Sequence, residues 1–155
     1  MSDQQTRRLA AFVLPSQPGN ERQALTRVAD AVAASGLSAS QLERLKTAVA
    51  EATMNAIEHG NHDQPELPVE VAVFEEAGEV VVTISDQGAV SRARPATVEP
   101  DLDDKLAGLQ TPRGWGLFLI RHMVDAVDEI NDGVRHTVRL TVRPGAPPAS
   151  SRSQG

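Results

Sequence analysis

Apolar and polar positions alternate along the chain with two distinct periods. Residues 8–14 form a short apolar run, closed by Pro15 and the turn Pro18-Gly19-Asn20, and read as a strand. Leu25, Val28, Ala29 and Val32 then recur at helical spacing, which predicts a helix from an Asn20 N-cap to about Ser35, ended by Gly36. A second helix is expected from Ser38 or Ser40. Ser40 and Glu43 have capping-box spacing, and Leu42, Leu45, Val49, Ala52 and Ala56 continue one apolar stripe. After a loop the period changes to two. Val69, Val71 and Val73 alternate with Glu70 and Ala72, and the turn Glu76-Ala77-Gly78-Glu79 leads into the apolar run Val80–Ile84.

The segment 89–113 shows no clear period and contains Pro95, Pro100 and Pro112, as expected of a functional loop or lid. Gly114-Trp115-Gly116 then opens an apolar helix expected over 117–127. Asn131-Asp132-Gly133 reads as a hairpin turn, and 137–142 as a closing strand. Three helices and about five strands, with most strands in neighbouring hairpins, predict an α+β fold. The expected form is a two-layer sandwich with the helices on one face of a mixed, mostly antiparallel sheet. Residues 1–143 are read as a single domain. Residues 144–155, rich in Pro, Ala, Ser and Gly, are read as a disordered tail.

Composition narrows the function. The chain of 155 residues has no cysteine, which excludes a disulfide scaffold, a zinc finger, an iron–sulfur site and a thiol nucleophile. Fifteen Lys and Arg against 21 Asp and Glu give a net charge of −6, against the basic patch of a nucleic-acid binder. No run approaches the ~18 apolar residues of a membrane span. The first eight residues lack the apolar core of a signal peptide, so a cytoplasmic setting is expected.

Three constellations could carry chemistry. Glu51 and Asn55 lie one helical turn apart on one face, beside the apolar stripe. A carboxylate with a carboxamide there suits a general base and an oxygen ligand for a hard cation, and equally a solvated helix surface. Asp86-Gln87-Gly88 ends an apolar strand. Such a carboxylate can accept from an exocyclic amine while glycine lets the backbone approach a flat ring, though Asp-x-Gly also makes a simple turn. Arg113-Gly114-Trp115-Gly116-Leu117 could offer helix amides to phosphate, or simply start a helix tightly. It is neither a dinucleotide fingerprint nor a Walker sequence.

The order of these pieces resembles the N box and two glycine boxes of the GHKL ATP-binding superfamily, over residues 51–142. The runs Glu51-Ala52-Thr53-Met54-Asn55-Ala56-Ile57-Glu58-His59-Gly60 and Gly116-Leu117-Phe118-Leu119-Ile120-Arg121 look like the anti-sigma factor serine/threonine kinases of bacteria. The resemblance implies ATP and Mg²⁺ as cofactors, with Glu51 as general base and Asn55 on the metal. It implies Asp86 and Gly88 at the adenine, with Thr137 close to it. Gly114, Gly116 and Leu117 would lie at the phosphates, with Arg113 reaching the terminal one. It further implies a STAS-domain anti-anti-sigma substrate, a sequestered sigma factor and a homodimer.

The chain also departs from the family pattern. Ala89-Val90 follows Gly88 where a further glycine is common, and His136 precedes Thr137 where glycine is frequent. Arg22 and Arg27 are candidates for the family's basic contact to the sigma factor. His62 is expected in a solvated loop, His122 on a helix surface or partly in the core, and His136 on a strand face. A second reading keeps ATP binding without catalysis, as a nucleotide-gated binding module; Glu51 argues for the enzyme. The catalytic half of a sensor histidine kinase would need a phosphoacceptor hairpin, and the stretch before the second helix is too short for one.

Overall fold

The computed structural model describes residues 6–88 and 112–145, with backbone alone for 112–117. Residues 89–111 of the expected lid and 146–155 of the expected tail lie outside the described residues. The elements run β1 (Thr6–Pro15), α1 (Asn20–Ala31), α2 (Ala39–Asn55), β2 (Pro68–Glu76), β3 (Glu79–Asp86), α3 (Pro112–Met123), β4 (Ala126–Asn131) and β5 (His136–Val142). The five strands form one sheet in the order β1-β2-β3-β5-β4. All four described pairings are antiparallel. The helices cover one face, with α2 in the middle against both α1 and α3.

Period-two alternation builds the floor of the core. Val69, Val71 and Val73 of β2, Val80, Val82 and Ile84 of β3, and Val138, Leu140 and Val142 of β5 all turn inward and are buried. Leu45, Val49, Ala52 and Ala56 descend on them from α2 and its continuation. Full burial of a Val or Leu side chain is worth roughly 1.5–3 kcal/mol over exposure, so this aliphatic layer carries the fold without aromatic bulk. The β2–β3 hairpin turns through Ala77 and Gly78, both with positive φ (51° and 83°), as a two-residue turn of this hand requires.

Several boundaries differ from the sequence expectation. Gly19, not Asn20, stands at the N-cap of α1. The Asn20 amide is drawn back to the Pro15 carbonyl at 2.8 Å. Helix α1 ends at Ala31 rather than near Ser35. The capping box of α2 is Ser38 with Gln41, not Ser40 with Glu43. Gln41 Nε2 also reaches the Arg143 carbonyl, which ties the box to the chain after β5 and decides the register. Helix α3 begins at Pro112, a residue suited to the first turn, so Gly114 and Gly116 lie within the helix rather than ahead of it. It stops at Met123 rather than Val127, because the Asp125 amide donates to the Thr141 carbonyl and draws the chain into β4.

Candidate functional site

The inward stripes of β3 and β5 each end in a polar residue. Asp86 follows Val80, Val82 and Ile84 on the same face, and His136 precedes Val138 on the same face of β5. The two are direct cross-strand partners. Period two thus carries a carboxylate into the layer that otherwise holds the core, where it is 3% exposed. Its Oδ1 accepts from the Gly88 amide at 2.7 Å, and its Oδ2 lies 3.3 Å from His136 Nδ1.

Helix α2 continues through a π turn, Ala56–Gly60, and this brings Gly60 against the carboxylate. A Cβ on Gly60 would stand 2.2–2.6 Å from Asp86 carboxyl atoms. One on Gly88 would stand 2.7 Å from the Gly60 carbonyl oxygen and 2.8 Å from Asp86 Oδ1. Only glycine permits this approach of two segments.

Asn61 locks the arrangement. Fully buried, it donates through Nδ2 to Ser16 Oγ (2.9 Å) and to the carbonyls of Leu67 and Pro68 (3.1 Å each). Its Oδ1 accepts from the Gln87 amide at 2.8 Å. One side chain therefore joins the end of β1, the π turn, the start of β2 and the residue after Asp86.

Above the carboxylate, Asn55 hangs from α2 with its Nδ2 buried and without a hydrogen-bond partner among the described residues. Asn55, Ala52 and Ala56 from the helix side, with Ile84, Asp86, His136 and Val138 from the sheet, line a cavity of about 10 Å³. Glu51, one turn before Asn55, is half-buried. Desolvation by burial raises its pKa first, with repulsion from Glu58 and Glu21 adding to it. Thr137 stands between the inward His136 and Val138 on β5, so period two turns its side chain to the opposite face of the sheet, where its hydroxyl lies 2.8 Å from Ser85 Oγ.

Structure therefore brings Asn55, Asp86 and Gly88 together at one pocket, with Glu51 on the adjoining helix face. Thr137, the cross-strand partner of Ser85 and Ile130, lies on the other face of the sheet and not at the pocket where it is expected. Gly114 lies among the four leading amides that a helix leaves without intrahelical acceptors. Gly116 and Leu117 follow in the next turn. The Arg113 side chain lies outside the described part. Arg27 stacks on the Phe12 ring at 4.1 Å and Arg22 is exposed. His122 is exposed, and its Nδ1 lies 2.9 Å from the Phe118 carbonyl oxygen. Gly60, Asn61 and the contact of His136 with Asp86 were not singled out in the sequence. Among the described residues no cluster of three His, Asp or Glu could hold a metal, and no helix is long and apolar enough to cross a membrane.

The profile of the histidine kinase-like ATPase domain matches residues 14–142, which contain every residue of this pocket. The chain belongs to that family. A relative, the anti-sigma F factor of Bacillus cytotoxicus, is 32% identical over 129 residues, covering 79% of this chain and 83% of that protein. Among solved structures, the RsbU and RsbW domains of a Mycobacterium tuberculosis protein superpose with a TM-score of 0.61 at 18% identity. That match covers 89% of this chain and 33% of the longer one. The SiaB–SiaC complex of Pseudomonas aeruginosa gives 0.58 at 16% identity, covering 88% of this chain and 90% of the matched one. At these identities the two structures speak for the histidine kinase-like ATPase fold, helices over one antiparallel sheet.

Proposed function

We propose that this protein is a cytoplasmic, ATP-dependent serine/threonine kinase that sequesters a sigma factor and phosphorylates a STAS-domain anti-anti-sigma antagonist. One observation carries the reading. A buried strand-end carboxylate, cradled by two glycines that a single methyl group would displace, faces an unpartnered amide on the covering helix. The similarity to anti-sigma F factor supports the choice of partner class.

Asp86 accepts the amine of the adenine base while Gly60 and Gly88 keep the space around the carboxylate clear. Ile84, Val138, Ala52 and Ala56 give the flat ring an apolar enclosure. The unpartnered carboxamide of Asn55 fits a hard cation through its oxygen once rotated, since its amide has no protein bond to lose. Mg²⁺ held there would neutralise phosphate charge during transfer. A site with few protein ligands suits this ion, which keeps waters and phosphate oxygens as its other partners.

The amide of Gly114 points toward phosphate at the positive end of α3, with Gly116 and Leu117 in the following turn and Arg113 beside them. Glu51 takes the hydroxyl proton of a serine or threonine as its oxygen bonds to the terminal phosphorus and the bond to the departing ADP breaks. Burial and the neighbouring carboxylates, which raise its pKa, make it the stronger base. A homodimer would use the sheet face turned away from the helices, where Val13 and Ile130 are exposed. Calorimetric titration with ATP, with and without Mg²⁺, tests the reading. Saturable binding tightened by the metal is expected; no heat in either titration refutes it.

A further inference from the structure

Both oxygens of Asp86 are already engaged. The short bond to Oδ1 comes from the backbone of Gly88, and the longer one, at 3.3 Å, faces His136 Nδ1. A carboxylate only accepts, so the ring nitrogen facing it carries the proton. The other nitrogen, Nε2, lies 3.8 Å from Glu129 Oε1 on β4. Two ionisable side chains thus face the ring from neighbouring strands, Asp86 of β3 and Glu129 of β4. Helix α2 brings Asn55, Ala52 and Ala56, none of which titrates. With the ring in place the cavity it shares with Asp86 is about 10 Å³, room for about one water and far too small for a purine.

We propose that His136 is a specificity-determining residue of the base pocket: its ring holds the edge of Asp86 that a base amine must take, so an amine-bearing base binds by exchanging with it. The inference rests on the nucleotide reading above. Of the two bonds to the carboxylate, the one to His136 is the longer and involves a side chain, so it is the one that yields. A base with a keto oxygen in that position offers Asp86 no donor and leaves the ring where it is. Protonation decides how firmly the ring is held. The imidazolium turns a proton toward each of the two carboxylates, whereas the neutral ring keeps its proton toward Asp86 and turns a lone pair toward Glu129. ATP affinity therefore climbs as pH rises through the titration of His136.

The test is calorimetric titration of the full chain with ATP and with inosine triphosphate, between about pH 5 and 8, the range in which imidazole titrates. Wild type, His136→Ala and Glu129→Gln are compared. The readout is the difference between proteins, because phosphate groups titrate in the same range. Wild type is expected to prefer ATP and to gain about tenfold in affinity across the range beyond the gain of His136→Ala, the scale of one hydrogen bond to a charged group. His136→Ala binds ATP more tightly at the acid end. Glu129→Gln, altered at a partly exposed side chain, shifts the climb to lower pH. It gives an independent reading if the alanine variant folds poorly. Equal affinities and equal profiles in wild type and His136→Ala overturn the inference alone, as does weaker binding by His136→Ala throughout. Absence of ATP binding in all three proteins overturns the nucleotide reading and this inference together.

Discussion

Replacing Gly60 with alanine probes the cradle at its tightest point. The new methyl group would lie 2.2 Å from Cγ of Asp86 and 2.3 and 2.6 Å from its two oxygens. Something must move. Gly60 is held in the π turn between buried Ile57 and the Asn61 network, so the carboxylate end yields more readily than the backbone. Its displacement breaks the 2.7 Å bond from the Gly88 amide and the contact with His136. Losing one hydrogen bond to a buried charge costs about 1.5–3 kcal/mol. Read in binding, that is roughly a tenfold to hundredfold loss of ATP affinity. Read in stability, it is a fall in Tm of several degrees, at about 2–4 °C per kcal/mol for a chain of this size. Calorimetry with ATP and a thermal melt measure the two effects. Gly78→Ala is the control: it strains a turn at φ 83° but its methyl meets nothing within 4 Å, so affinity should hold while Tm drops. Wild-type ATP affinity in Gly60→Ala would refute the reasoning.

Asp86→Asn keeps the shape of the carboxylate but turns one acceptor into a donor. ATP binding should weaken by about 1–3 kcal/mol, and an unchanged calorimetric isotherm would count against the role of Asp86. Asn61→Ala leaves the Gln87 amide without its acceptor and removes the donor to the Leu67 and Pro68 carbonyls, so denaturant unfolding should show a loss of about 2–3 kcal/mol. Glu51 gives a pH-dependent prediction. Its pKa is raised in the folded chain, so its contribution to stability is fully present below the ordinary value of 4.5 and is lost as pH rises through the raised value. Melting curves should accordingly show Glu51→Gln more stable than wild type at neutral pH, with the gap closing below that ordinary value.

Strand period made much of this site legible before any coordinates. The alternation Val80, Val82, Ile84 puts Asp86 on the inward face by parity alone, and helical spacing puts Glu51 and Asn55 together on α2. What escaped the sequence depends on contacts between distant segments. Gly60 matters because it meets Asp86, and nothing local distinguishes it from a glycine that merely ends a helix. Asn61 reads as a loop residue, yet its four partners are the residue after β1, the residue before β2, the first residue of β2 and the residue after β3. His136 gains its meaning from cross-strand register with Asp86. At α3 two local signals compete: Gly-x-Gly suggests a helix start, but Pro112, suited to a first turn, opens the helix two residues earlier.

The central claim is that Glu51 is the base of a protein kinase, and phosphoryl transfer tests it most directly. Labelled ATP is supplied to wild type and to Glu51→Gln, each with a STAS-domain protein from the same genome, and ATP affinity is measured in parallel. A general base contributes ~10²–10⁴-fold to rate and little to ground-state binding. The expected result is transfer to a serine or threonine by wild type, and a loss of at least about a hundredfold in the variant at unchanged ATP affinity. Equal transfer rates in the two proteins, or no transfer by wild type to a STAS protein that demonstrably binds it, would contradict the account.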